Sequence, residues 1–143
     1  MGGGVSSNNP ILNFLFRLNC FFSNAEIPHR VKVGDNKRFP HGLKGIVIHP
    51  STIIEDNVTI FHQVTCGRGD LYGNAPHVKK STFKGVLLKE GCILCVGAKV
   101  LGKDGIITVG KNTIIGANSV LTVSTGDNEI WAGIPAKCIK KIE

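Results

Sequence analysis

The stretch Ile48-His-Pro-Ser-Thr-Ile-Ile-Glu-Asp-Asn-Val-Thr-Ile-Phe-His-Gln-Val-Thr-Cys66 keeps one beat. Ile48, Thr52, Ile54, Val58, Ile60, Val64 and Cys66 are separated by four, two, four, two, four and two residues. A 3.6-residue helical period would scatter these positions around a cylinder. Strict alternation would need Pro50, Asp56 and His62 in the core as well. A six-residue step fits instead. Each step supplies one short strand and one bend, and stacked steps bury a continuous apolar column.

Working outward, the beat returns at Val86, Leu88, Cys92, Leu94, Ala98 and Val100, and again at Val109, Thr113, Ile115, Ser119 and Leu121. Gly, Asn, Thr, Val and Ile crowd these segments, which disfavours helix. The expected class is all-β, a parallel β-helix of hexapeptide repeats with roughly four coils. Such a core is narrow, and each coil touches only its neighbours, so end caps or further copies of the chain are needed for stability.

Ahead of the repeats, the apolar run Ile11 to Phe22 contains Arg17 and is too short to cross a bilayer. It reads as a short helix capped by Asn8 or Asn9, with Pro10 in its first turn and helical spacings among Leu12, Phe16, Leu15, Leu18 and Phe22. Residues 1–25 are therefore an N-terminal lead with a capping helix. Residues 26–143 form the coil domain with an excursion over 67–85 and a C-terminal tail.

The 143 residues carry a net charge of +7, which attracts anions in general. Its lysines and arginines are dispersed, and no aromatic residues alternate with them as a single-strand groove requires, so nucleic acid is not the expected partner. Cys20, Cys66, Cys92, Cys95 and Cys138 are odd in number and follow no secretory signal, which points to reduced thiols and a cytoplasmic location. Cys66 and Cys92 fall on inward steps and behave as small core residues.

Functional groups in a solenoid collect where the repeat breaks. One break lies between Phe39 and Ile46, around Pro40, His41 and Gly42. A second is the excursion Gly67 to Gly85, which carries His77. A third, Gly102 to Gly105, reads as a tight turn without chemistry. His49 and His62 occupy non-core steps of regular coils and read as wall residues or subunit contacts. They are thirteen residues apart, a spacing that does not converge on one point of a six-residue wall, so no metal site is expected.

The segments Glu26-Ile-Pro-His-Arg-Val-Lys-Val-Gly-Asp-Asn-Lys-Arg-Phe-Pro-His41-Gly, Gly45-Ile-Val-Ile-His-Pro, Asn57-Val-Thr-Ile-Phe-His-Gln-Val-Thr-Cys-Gly67 and Trp131-Ala-Gly-Ile-Pro-Ala-Lys137 together resemble the serine acetyltransferase family. That resemblance implies a left-handed coil, a homotrimer with sites at subunit interfaces, and acetyl transfer from acetyl-CoA to a hydroxyl. It makes His41 the catalytic histidine and Glu26, fifteen residues earlier, the carboxylate that orients it from a neighbouring turn. It gives His77 to the acceptor. Gly67, Gly97, Ala98, Gly116 and Ala117 fall to the coenzyme arm, and Lys137 to its phosphates.

Two departures from the family pattern bear on the acceptor. Pro40 stands in the substrate-binding position where the family has Asp, and Pro76 stands where it has Arg. Losing an anion and a cation removes the natural partners of a zwitterionic amino acid. The acceptor is therefore either L-serine or a sugar hydroxyl of a surface polysaccharide. A cysteine synthase partner is not expected, because the family's tail for that contact ends in Ile and here the sequence reads Ile142-Glu143. The alternative from another class is a non-catalytic hexapeptide scaffold, against which the Glu26 and His41 pair argues.

Overall fold

A computed structural model of the chain describes residues 8–70 and 82–143. It opens with α1 (Pro10–Phe22), capped by Asn9, whose side-chain oxygen accepts from the backbone N–H groups of Ile11 and Leu12. Thirteen strands follow: β1 (Lys32–Val33), β2 (Val47–Ile48), β3 (Thr52–Ile54), β4 (Thr59–Ile60), β5 (Thr65–Arg68), β6 (Thr82–Leu88), β7 (Ile93–Leu94), β8 (Lys99–Gly102), β9 (Asp104–Val109), β10 (Ile114–Ile115), β11 (Val120–Leu121), β12 (Glu129–Gly133) and β13 (Ala136–Lys141).

They stack into three walls, ordered β1-β3-β6-β9, β4-β7-β10-β12-β13 and β2-β5-β8-β11, here called the first, second and third walls. The chain visits the walls in rotation and always returns parallel to itself, which makes a coil with four rungs on the first wall. Among the described residues only the last pair, β12 with β13, runs antiparallel.

Every inward position read from the beat is buried, Thr52, Thr113 and Ser119 among them. Val31, Leu43, Ile46 and Ile107 extend the same column. Each fully buried Ile, Leu or Val contributes about 1.5–3 kcal/mol relative to exposure. A single-file arrangement of such residues therefore supplies the driving force that two-residue strands cannot supply by hydrogen bonding alone.

Among the described residues, two of the three corners turn repeatedly through left-handed backbone, and the third does so at Gly105. Asn36, Asn57, Gly91, Asn112 and Asn128 have positive φ at the corner between first and second walls. Asn24, Gly45, Gln63, Gly97 and Asn118 do so between second and third. Asn tolerates this conformation better than other side chains with a Cβ because its short amide bonds locally. The amides also link coils, as where Asn112 Nδ2 donates to Asn128 Oδ1 at 3.1 Å.

Both ends of the column are closed. Helix α1 meets it through Phe16, one of the residues at helical spacing, and Cys20, while Leu12, Leu15, Leu18 and Phe22 are exposed. Between the helix and the first coil lies a cavity of about 620 Å³, lined in part by Phe16, Arg17, Ile27 and His29. At the far end, Thr113 Oγ1 donates to the Gly126 carbonyl at 2.8 Å and accepts from Glu129 N at 3.1 Å. Ser119 Oγ accepts from Gly133 N at 3.1 Å. These inward hydroxyls tie the β12–β13 hairpin down as a lid.

Candidate active site

The Phe39-to-Ile46 break forms a continuous turn, with Gly42 and Gly45 at φ 69° and 63°. It replaces the tight corner between the second and third walls in the first coil. Pro40, His41 and Gly42 are exposed on it. The bridge between Arg38 and Thr59 sets the register, and through it His41 faces the corner of the next coil. There its ring meets His62 edge to face, centroids 5.0 Å apart at 82°, and Phe61 at 5.8 Å.

His62 is therefore no ordinary wall residue. Hexapeptide phase alone assigned it to a regular coil, because the phase does not reveal which corner lies beneath an insertion. Backbone bonds fix its position: Gln63 N donates to the Lys44 carbonyl at 2.8 Å, and Gly97 N donates to the His62 carbonyl at 3.1 Å. Its Nδ1 is buried and meets no hydrogen-bond partner among the described residues of its own chain.

Glu26 pairs in register with Val47 at the head of the third wall and points outward. It flanks the same corner as His41. Among the described residues no hydrogen bond or ion pair joins its carboxylate to the imidazole. Fifteen residues is less than one circuit in this part of the chain, where the insertion lengthens the coil, so Glu26 and His41 are not rung partners.

Two and three coils on, the same corner carries the small residues. Gly97 and Ala98 lead into β8, and Gly116 and Ala117 lead into β11. Asn118 N donates to the Val96 carbonyl at 2.8 Å and brings the two turns together. Ala98 is buried with its methyl in the core, so only its backbone is available to a ligand. Gly67, on β5 of the adjoining third wall, has open space where a Cβ would be. Lys137 of β13 pairs with Ala132, and Ala132 covers Gly116. Lys99, which sequence reading passed over, donates from Nζ to the Gly97 carbonyl at 2.9 Å and adds a cation to this file. An outward Lys at the head of a short strand carries no signal in the sequence.

His77 and Pro76 lie outside the described residues. The feet of their excursion are braced by the Gly102–Gly105 segment: Gly69 N donates to the Gly102 carbonyl at 2.7 Å, and Thr82 Oγ1 bonds Asp104 Oδ1 at 2.6 Å. The third break thus has a structural task. At this separate corner His49 stacks on Phe83 at 5.1 Å and accepts from Ser51 N at its Nδ1, 3.1 Å. Burial, and then the Arg68 cation, hold its imidazole below the ordinary histidine range.

Burial pushes the Cys66 thiol up, with Cys92 nearby adding to it. Cys92 is raised to about 12 by burial and the Glu55 carboxylate. Neither thiol is a nucleophile in this state. Among the described residues no cluster of three or more His, Cys, Asp or Glu is placed to hold a metal ion, and no helix is long and apolar enough to cross a membrane.

No family model matches the chain. A serine acetyltransferase of Bacillus pumilus is 32% identical over 129 residues, 90% of this chain and 54% of that protein. A solved serine acetyltransferase in complex with CoA aligns with TM-score 0.68 at 29% identity, over 90% of this chain and 47% of the other. One in complex with cysteine aligns with TM-score 0.72 at 28% identity, over 94% and 48%. The chain thus spans about half the length of the curated relatives it matches, and the half it shares with the solved structures is a left-handed β-helix.

Proposed function

This chain belongs to the serine acetyltransferase family, and from that premise we propose that it is an acetyl-CoA-dependent O-acetyltransferase with His41 as general base. One observation carries the reading. A single corner of the coil bears an exposed histidine in its inserted turn and, two and three coils on, a file of small residues flanked by Lys99 and Lys137. Small residues let an extended coenzyme arm approach the backbone. The two cations suit its phosphates.

In the proposed step both substrates are bound together. The acceptor hydroxyl gives its proton to His41 as its oxygen attacks the thioester carbonyl. The new C–O bond forms, the C–S bond breaks as the tetrahedral intermediate collapses, and His41 returns the proton to the departing coenzyme thiolate. Glu26, at the flank of the corner, supplies the negative charge that favours the imidazolium as it forms. His77 and Pro40 complete the acceptor side. Chain copies assemble as a homotrimer, a reading supported by the exposed Val47, Ile53 and Ile106 on the coil walls.

L-serine is the acceptor that the relatives' names supply. Pro40 favours a second reading, a sugar hydroxyl, because it offers no charge to an ammonium group beside His41. The test is release of coenzyme A thiol from acetyl-CoA with L-serine against a panel of sugars and nucleotide sugars. Release with either class supports acetyl transfer and names the acceptor. Silence with all of them overturns the enzyme reading in favour of a scaffold.

A further inference from the structure

We propose that His62 is a second catalytic residue, whose Nε2–H donates to the oxygen that gains charge when the thioester carbonyl is attacked. The inference rests on the acetyl-transfer reading above and supplies the oxyanion donor which that reading lacks.

Two independent observations carry it. The first is position: His62 is the ring against which His41 stacks, 5.0 Å between centroids. A donor one ring away from the base is within reach of a carbonyl whose carbon is being attacked by the oxygen that the base holds. The second is the state of its nitrogens. Nδ1 is buried and has no partner among the described residues of its own chain, while Nε2 is not shut away. Buried N–H groups without partners are rarer than buried acceptors without partners, which favours the tautomer of the neutral ring that carries its proton on Nε2. The open nitrogen is then the donor.

Cost points the same way. A phenylalanine here would stack equally well on His41 and leave no orphan nitrogen, so packing alone gives no reason for histidine. The ring is also preorganised. Its backbone is bonded on both sides within the coil, to Lys44 through Gln63 N and to Gly97 N. A donor fixed before the reaction needs no reorganisation when charge develops.

The experiment compares His62→Phe and His62→Gln with wild type in the coenzyme A release assay, alongside coenzyme A affinity by calorimetry. His62→Phe keeps the ring and loses the donor. It is expected to lower kcat by about 100-fold, the loss typical of one oxyanion donor, with coenzyme A affinity unchanged. His62→Gln restores an N–H and is expected to recover at least about tenfold of that loss. A His62→Phe enzyme within about threefold of wild type, or a loss that His62→Gln does not relieve, overturns the donor role. Nitrogen-15 shifts that place the neutral ring's proton on Nδ1 overturn it too, without any turnover. A wild type that is silent with every acceptor removes the acetyl-transfer reading first, which separates that failure from an active wild type indifferent to position 62.

Discussion

The side-chain oxygen of Asn118 occupies the place that a Cβ on Gly97 would take. The two residues turn corresponding corners of successive coils with φ 54° and 67°, so this contact sets how closely the coils stack beside the proposed coenzyme file. Gly97→Ala meets both the Asn118 amide and a left-handed backbone that costs about 1–2 kcal/mol for a residue with a Cβ. The midpoint of urea unfolding should fall by a corresponding amount at unchanged slope. An unmoved midpoint would mean that the corner relaxes freely.

His41 stands on an exposed turn with no hydrogen bond to its imidazole among the described residues, so removing it leaves no buried group unpaired. His41→Ala should lower kcat by about 100-fold to 10,000-fold, the usual worth of a general base. Coenzyme A affinity, measured by calorimetry, and unfolding midpoint should stay at wild-type values. Full turnover in the variant would remove His41 from the mechanism.

The hexapeptide beat made the column legible because burial in a coil depends on local phase, and phase survives wherever the strands are regular. Ile48 through Cys66 could be placed inward one residue at a time for that reason. The beat is silent on register across an insertion. Whether His41 faces His62 or Glu26 depends on how many residues the turn at 40–45 absorbs, which the Arg38–Thr59 bridge decides in three dimensions. Helix α1 was legible from Asn9 and Pro10, whereas of its seated face only Phe16 was. That face is chosen by the shape of the first coil, and Phe16 and Cys20 fit it.

Burial rather than chemistry governs the cysteines. Cys66 and Cys92 lie in the column, while Cys138 is exposed on β13. Iodoacetamide at mildly alkaline pH should therefore modify Cys138 in the native protein and spare Cys66 and Cys92 until denaturant is added, as peptide mass analysis would read out. Cys66→Ala should keep turnover within about twofold, since a thiol this strongly protonated carries no acyl group. Early labelling of Cys66, or an acetyl adduct trapped on it, would contradict the inward assignment.

His49 links the pH response to the corner that carries the excursion. Its ring is stacked on Phe83, accepts from Ser51 N and lies near the Arg68 guanidinium, which is itself paired with Asp70 at 2.8 Å. Burial first and Arg68 second hold its folded-state pKa below the unfolded value of about 6.5. The unfolded chain therefore takes up a proton on this ring at a higher pH than the folded chain does. Its contribution to stability is present in full above about pH 6.5 and is lost as pH falls from there through the folded pKa. His49→Gln removes the titration. Thermal midpoints of the two proteins, compared between pH 8 and pH 5, should be furthest apart in the wild type's favour at pH 8 and converge toward pH 5. Parallel curves across that interval would show that protonation of His49 is not linked to folding.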